Sequence, residues 1–337
     1  MADAGWDRGV SLPSSDEVVV VIVNFDSGDL LRQCLAAVAR QTYPSFRVVV
    51  VDNASMDDSL DGIEAACPTV EIVRLPENVG FAGGCNAGIE AAGECQWIAC
   101  LNPDAFPEPD WLASLMAATE RYPACASFGS KLVMAEDPAR LDGTGDVYHV
   151  SGLAWRRDYG RLAERGVAES DEIFAPCAAA ALYRRDALID VGGFDTSYFC
   201  YFEDVDLGFR LRLQGYCSRY VPESRALHMG SAITGFRSDF SIYHGHRNMV
   251  WAYFKNMPAP LLWLYLPQHL LANVLTIVRY AGKGQAGVIL KSKWHALKAL
   301  PRVLRARKEA QSKRRVRVRE IWRHMSRGLL APYWKKG

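Results

Sequence analysis

Three carboxylates fall within four residues of a mostly apolar segment, Tyr201-Phe202-Glu203-Asp204-Val205-Asp206-Leu207-Gly208-Phe209-Arg210. Leu207, Leu211 and Leu213 behind them have the spacing of the buried side of a helix. Carboxylates at the start of such a helix are favoured by its positive end. A helix-start acid is therefore one use of this cluster. The other is a general base placed beside a bound substrate, and the stretch alone leaves both open. A second candidate is Asn102-Pro103-Asp104. An N-P-D turn after a strand is ordinary turn chemistry, but a lone carboxylate there also suits Mg²⁺, which is commonly held by one or two carboxylates plus substrate phosphates. A third is the glycine-rich turn Glu77-Asn78-Val79-Gly80-Phe81-Ala82-Gly83-Gly84-Cys85-Asn86-Ala87-Gly88. Its glycines permit close backbone approach to a ligand or tight helix–sheet packing.

The elements that must position these residues follow from the apolar pattern. Glu17 to Val23 is a continuous β-branched run, the mark of a strand covered on both faces. Phe46–Val51, Val70–Arg74 and Trp97–Leu101 read as further strands, and helices are predicted over Leu30–Arg40, Asp57–Ala66 and Gly83–Ala92. Strands alternating with helices imply βαβ units and a mostly parallel sheet flanked by helices, an α/β fold. Ligands bind such sheets beyond the carboxyl ends of the strands, where Asn24, Asp52, Asn53, Asn102 and Asp104 fall. The P-loop pattern is absent, as is a G-x-G-x-x-G after the first strand. Gly129 to Ala180, richer in Gly, Arg and aromatics such as Trp155 and Tyr159, reads as antiparallel strands and loops; Ala175–Leu182 reads as a core strand.

The overall charge of +1 hides an asymmetry. Residues 279–337 hold 18 Lys/Arg against 2 Asp/Glu, a net of +16, whereas the first 278 hold 21 against 36, a net of −15. A basic tail on an acidic body points to an anionic partner. The apolar stretch Leu261 to Val278 is at the lower limit for a membrane span and is interrupted by Pro267, Gln268, His269 and Asn273. It reads as a helix lying in or on a membrane rather than crossing it. The basic, Trp- and Leu-bearing helices after it read as an amphipathic anchor for an anionic membrane surface, with no nucleic acid as partner and a homodimer contact as a further use. Nine cysteines without a C-x-x-C pair read as buried thiols of a reducing compartment, not a disulfide or zinc framework. Residues 1–16 read as a polar leader with no secretory signal.

Together, Val23-Asn24-Phe25, Val51-Asp52-Asn53-Ala54-Ser55, Asn78 to Asn86, Leu101-Asn102-Pro103-Asp104, Val191-Gly192-Gly193-Phe194-Asp195, Tyr201 to Leu207 and Leu227-His228 occur in the order found in inverting family 2 glycosyltransferases. The chain resembles that family and its GT-A fold, and within it the rhamnosyltransferase-like branch, over about residues 17–255. The resemblance implies a transferase domain at 17–255, with a nucleotide-sugar half (17–128) and an acceptor and catalytic-base half (129–255), followed by a membrane-associating region at 256–337. It places Asp204 as catalytic base with Glu203 supporting it. Asn24, Asp52, Asn53, Asn78, Gly80, Phe81, Asn86, Asn102 and Asp104 would bind the nucleotide-sugar, and Asp104 with His228 would hold Mg²⁺ or Mn²⁺. Asn102 stands where the family's Asp-x-Asp motif usually begins, which weakens metal binding without nucleotide. Asp206 stays a helix-start carboxylate. Arg237 to Arg247 is expected as a mobile loop over the diphosphate. The implied donor is dTDP-rhamnose and the acceptor a polyprenyl-diphosphate-linked glycan, handled at the cytoplasmic face of the plasma membrane. Another UDP-, GDP- or dTDP-sugar as donor is the alternative, and an inactive membrane-bound GT-A scaffold the alternative of a different class.

Overall fold

Every residue of Val18–Asn24 (β1) is buried, as a run of valine and isoleucine covered on both faces of a parallel sheet requires. The computed structural model describes residues 18–165, 169–230, 238–329 and 331–332. The polar leader, Glu17 and Arg237 therefore lie outside the described residues. After β1 come Asp29–Val38 (α1), Phe46–Asp52 (β2), Ile63–Ala66 (α2), Val70–Arg74 (β3), Gly80–Ala91 (α3) and Trp97–Leu101 (β4). β1 pairs in parallel with β2 on one side and β4 on the other, and β2 with β3. The alternation expected from sequence is present. The helix expected over Asp57–Ala66 is shortened to the single turn of α2, because the Asp57 carboxylate accepts from the backbone N–H groups of Gly28 and Ser59 and so holds the chain in a local turn that competes with helix.

The second half comprises Ala105–Pro107 (β5), Trp111–Arg121 (α4), Cys125–Met134 (β6), Leu141–Gly143 (β7), Asp146–Tyr148 (β8), Ala154–Arg156 (β9), Asp171–Ile173 (β10), Ala180–Arg184 (β11), Arg185–Val191 (α5), Glu203–Gln214 (α6) and Cys217–His228 (β12). The sheet order is β10-β12-β6-β11-β4-β1-β2-β3, with β5 paired to β12 and β7 to β6. One sheet thus runs through both halves, and the antiparallel β11 joins them at β4. The strand expected over Ala175–Leu182 begins only at Ala180. Helix α3 lies close on β1, since a Cβ on Gly84 would come within 2.5 Å of Val23 and one on Gly88 within 2.2 Å of Val21. Tight helix–sheet packing thus accounts for the later glycines of the Asn78–Gly88 stretch.

The cysteine reading needs correction. Cys125 and Cys217 form a disulfide. They are register partners on the parallel strands β6 and β12, 92 residues apart in sequence, a proximity that no local spacing announces. The C-terminal part is helical: Asp239–Asn256 (α7), Ala259–Ala281 (α8), Ala286–Lys298 (α9), Leu300–Ser312 (α10) and Val318–Arg323 (α11). The expected mobile loop over Arg237–Arg247 is, from Asp239 onward, the first turns of α7. Ser238 caps that helix by accepting from the Ser241 N–H, and Ile242, Met249, Val250 and Trp251 bury its inner face.

Candidate active site

Beyond the carboxyl ends of β1, β2 and β4 lies a cavity of about 640 Å³. It is lined by Asn53, Asn78, Gly80 and Phe81 from the first half and by Asp146, Trp155, Arg156 and Asp204 from the second, with Asn102, Asp104 and His228 also lining it. The site is an assembly of strand ends. β5 pairs antiparallel with β12 so that Ala105 faces His228 in register, which brings Asp104 beside the imidazole. His228 Nε2 stands 3.4 Å from Asp104 Oδ1, and Nδ1 is 2.7 Å from Asp142 Oδ2. Burial opposes charge on this ring, but the two carboxylates outweigh it and raise the His228 pKa. Arg156 pairs with the same Asp142. Burial pushes the Asp142 carboxyl up, yet His228 and Arg156 prevail and hold it below the ordinary range.

Asp204 occupies the first turn of α6. Its Oδ1 accepts from the Val205 N–H at 2.8 Å and its Oδ2 from the Ala178 N–H at 3.4 Å. Burial raises its pKa, while those N–H groups and Arg156 oppose the rise without cancelling it. Glu203 is more deeply buried, with Oε2 lacking a hydrogen-bond partner; desolvation and then the adjacent Asp204 push its pKa well up. Burial thus favours the neutral form of both carboxyls, more strongly at Glu203, while the N–H groups and Arg156 favour the charged form of Asp204. The helix-start reading of Asp206 is too modest. It is fully buried, bonded to Arg210 Nε at 2.7 Å, Lys255 Nζ at 2.9 Å and Asn256 Nδ2 at 2.7 Å, and these cations hold its pKa low against desolvation. It ties α6 to α7.

The backbone before Glu203 is bent through positive φ at Phe199 (66°), Tyr201 (68°) and Phe202 (70°). Bulky side chains rarely adopt that region. Gly80 (φ 75°) faces this bend, and a Cβ there would lie 2.4 Å from the Phe199 carbonyl, so glycine is needed at that position.

Six of the nine residues expected to bind a nucleotide-sugar line the cavity: Asn53, Asn78, Gly80, Phe81, Asn102 and Asp104. Asn53 Nδ2 reaches Asn78 Oδ1 at 2.9 Å and its Oδ1 accepts from the Val79 N–H at 2.9 Å, which fixes the turn into α3. Asn24, Asp52 and Asn86 stand behind the wall. Asn24 Nδ2 donates to Ser55 Oγ (3.0 Å) and Ser59 Oγ (2.8 Å), and Asp52 Oδ1 accepts from the Ser55 N–H. Asn86 exchanges two 2.8 Å hydrogen bonds with the backbone of Phe194. Trp155 lines the cavity, whereas Tyr159 is half-exposed and outside it.

Among the described residues no three His, Cys, Asp or Glu side chains gather to hold a metal by themselves. Asp104 and His228 nevertheless fit a divalent ion that a ligand's diphosphate would complete. Among the described residues His228 Nε2 and Asn102 Oδ1 are buried without a hydrogen-bond partner, and a carboxylate on Nδ1 is the usual way a ligating imidazole is oriented.

The family model described as glycosyl transferase family 2 matches residues 19–192, just over half of the chain. The chain belongs to glycosyltransferase family 2. This transferase is 29% identical over 295 residues to the N-acetylglucosaminyl-diphospho-decaprenol L-rhamnosyltransferase of Mycobacterium tuberculosis, an alignment covering 77% of this chain and 94% of that one. It is 30% identical over 229 residues to the pre-mycofactocin glycosyltransferase of the same species, covering 67% of this chain and 46% of the relative. Its fold is that of GT-A enzymes. The mannosyltransferase of Pyrobaculum calidifontis, solved with GDP-mannose and Mn²⁺, superposes with a TM-score of 0.53 at 18% identity, covering 94% and 90% of the two chains. GalNAc-T7, solved with UDP, GalNAc and Mn²⁺, gives 0.58 at 16% identity, covering 71% and 48%.

Asp142, Asp146 and Arg156 of the transferase escaped the sequence reading as site residues. They sit on three-residue strands, too short for any periodicity to show which way a side chain points. The signals were compositional, in Asp142-Gly143-Thr144-Gly145 and Trp155-Arg156-Arg157-Asp158-Tyr159, and neither singles out a site residue.

Proposed function

We propose that this family 2 enzyme transfers rhamnose from dTDP-rhamnose, with inversion, to a polyprenyl-diphosphate-linked glycan at the cytoplasmic face of the membrane during cell-surface polysaccharide synthesis. The observation that carries the chemistry is Asp204: a cavity-lining carboxylate with a raised pKa, facing a space also bounded by Asp104 and His228. The choice of substrates draws on the M. tuberculosis relative, whose name specifies a rhamnosyl donor and a GlcNAc-diphospho-decaprenol acceptor. Asn53, Asn78, Gly80 and Phe81 form the donor end of the cavity. Asp204 takes the proton of the acceptor hydroxyl as that oxygen attacks the anomeric carbon from the face opposite the diphosphate. One displacement inverts the centre, and no second carboxylate is required as nucleophile. A divalent cation on Asp104 and His228 would supply neutralisation of the charge developing on the leaving diphosphate.

The membrane reading is supported by α8, which among the described residues is the one helix long and apolar enough to cross a bilayer. Its inner face packs on the domain, where His269 stacks on Tyr253 and bonds Ser151 O at 2.7 Å. Trp263, Leu264, Leu270, Leu271, Val274, Leu275 and Val278 point outward. A helix bound lengthwise to a globular domain favours lying in the interface over crossing it. The deciding experiment is a thermal-shift and transfer panel of sugar nucleotides with and without Mg²⁺ or Mn²⁺, using N-acetylglucosaminyl-diphospho-decaprenol as acceptor. Selective, metal-dependent stabilisation by dTDP-rhamnose and formation of the rhamnosylated lipid are expected. Selective response to a different sugar nucleotide would refute the donor assignment.

A further inference from the structure

Asp146 is 7% exposed and lines the cavity. Among the described residues its carboxyl makes no hydrogen bond or close ion pair, and Arg156 attracts it only at longer range. The backbone around it is fixed from two sides. Its N–H donates to Ala175 O at 2.8 Å, and it pairs in register with Arg156 across the β8–β9 hairpin. Residues directly opposite in such a pair present their side chains on one face. The nearest cation on that face is already engaged, because Arg156 pairs with Asp142. A buried carboxyl without a hydrogen-bond partner is costly to keep, and the fold retains this one on the cavity wall.

Its place in the cavity says what it meets. Asn53, Asn78, Gly80 and Phe81, from the end of β2 and the start of α3, line the same cavity. Asp146 and Trp155 come from the hairpin on the side of Asp204, near enough to that carboxylate for the two to repel. In an inverting displacement the acceptor approaches on the side of the base, away from the leaving diphosphate. A carboxyl beside an indole ring is a suitable surface for a pyranose, with oxygens for its hydroxyl or amide N–H groups and a flat face for its C–H groups. We propose that Asp146, with Trp155 beside it, binds the acceptor sugar and orients it so that one particular hydroxyl meets Asp204. The role is positional: no bond is made or broken at Asp146. The proposal rests on the transferase reading above.

The test uses the full chain, dTDP-rhamnose, and N-acetylglucosaminyl-diphospho-decaprenol as acceptor, with Asp146→Asn and Asp146→Ala. Loss of a hydrogen bond of this kind should raise the acceptor KM about tenfold or more and lower the ratio of sugar transfer to donor hydrolysis by a similar factor. Donor affinity by calorimetry should stay within about twofold, which also shows that the variants are folded. The linkage in residual product, read by NMR, should become mixed. Donor affinity falling in parallel with transfer would overturn the proposal and place Asp146 on the donor sugar; an unchanged acceptor KM and ratio would overturn it outright. Failure of the substrate reading has a different signature, since the wild type itself would not bind dTDP-rhamnose. The same ratio, measured with the sugar nucleotide that does bind and a total lipid extract as acceptor, then decides Asp146.

Discussion

At the scale of single residues, the site separates two adjacent carboxyls by environment. Asp204 receives two backbone N–H groups, whereas Glu203 has a buried oxygen with no partner. Asp204→Asn keeps the shape and the N–H contacts but cannot take a proton. Transfer should fall about 10²–10⁴-fold, the usual contribution of a general base, while calorimetric donor binding persists; near-normal turnover would remove Asp204 from the role. Because burial raises its pKa, the acid limb of kcat/KM should lie above the ordinary carboxylate range. Glu203 supplies a stability test with a definite sign. Its folded pKa is raised above the unfolded value, so the folded protein keeps a proton that the unfolded chain releases. Its contribution is therefore most favourable below the unfolded pKa and becomes a penalty as pH rises toward the folded pKa. Glu203→Gln copies the protonated form and avoids that penalty. Its melting-temperature gain over wild type should be near zero at about pH 4, where even the unfolded glutamate is largely protonated, and should grow toward neutral pH. A gain that is constant or shrinks with pH would contradict the assignment.

At the scale of elements, the bend leading into α6 is held by α7 from the C-terminal half. Asn248 of α7 is fully buried and its Nδ2 lies 2.9 Å from Tyr198 O, 2.9 Å from Cys200 O and 2.7 Å from Tyr201 O. Those carbonyls belong to the bend whose positive φ values each cost on the order of 1–3 kcal/mol for side chains of this size. Asn248 thereby stabilises a conformation the chain would otherwise leave. Asn248→Ala should cost about 1–3 kcal/mol of stability in chemical denaturation and lower kcat more than donor KM, because Asp204 loses its fixed approach. A variant as stable and as active as wild type would show the clasp to be incidental. This scale also explains what was legible beforehand. Asp104 and Asp204 could be picked out because one follows a strand and the other starts a helix with a clear apolar pattern, whereas His228 came only from the order of the family's motifs. Asn24, Asp52 and Asn86 sit in equally clear motifs, but motif position does not say whether a side chain turns to the cavity or to Ser55, Ser59 or Phe194. The Cys125–Cys217 bond and the Lys255–Asp206 tie join residues 92 and 49 apart, and only the register of β6 with β12 and the packing of α7 on α6 brings them together.

At the scale of the whole molecule, charge and apolar exposure concentrate in the same region. The outward residues of α8 recur at helical spacing from Trp263 to Val278, and α9 adds Leu290, Trp294 and Leu297. Lys291 and Lys298 are exposed on the same helix α9, and Arg302, Arg305 and Lys308 on α10. The region is also coupled to the cavity. Phe240 and Gly245 of α7 line the cavity, while Tyr243 Oη meets His295 Nδ1 of α9 at 2.6 Å and Lys293 Nζ donates to His246 O at 2.9 Å. A membrane contact on the outer side of α9 would thus be separated from the cavity wall by little more than α7, a fitting distance for an acceptor whose lipid stays in the bilayer. Burying an exposed Trp or Leu is worth roughly 1.5–3 kcal/mol, and each basic residue near an anionic surface adds about 1 kcal/mol. Replacing Leu271 and Trp294 together by glutamate removes apolar contacts and adds like charge against the lipid. Co-sedimentation with phosphatidylglycerol vesicles should then weaken about tenfold or more, and binding of the wild type should fall as salt is raised. Alkaline carbonate should strip the wild-type protein from native membranes if α8 lies in the interface. Retention after carbonate would instead show that α8 crosses the bilayer, and equal sedimentation of variant and wild type would remove this surface from membrane binding.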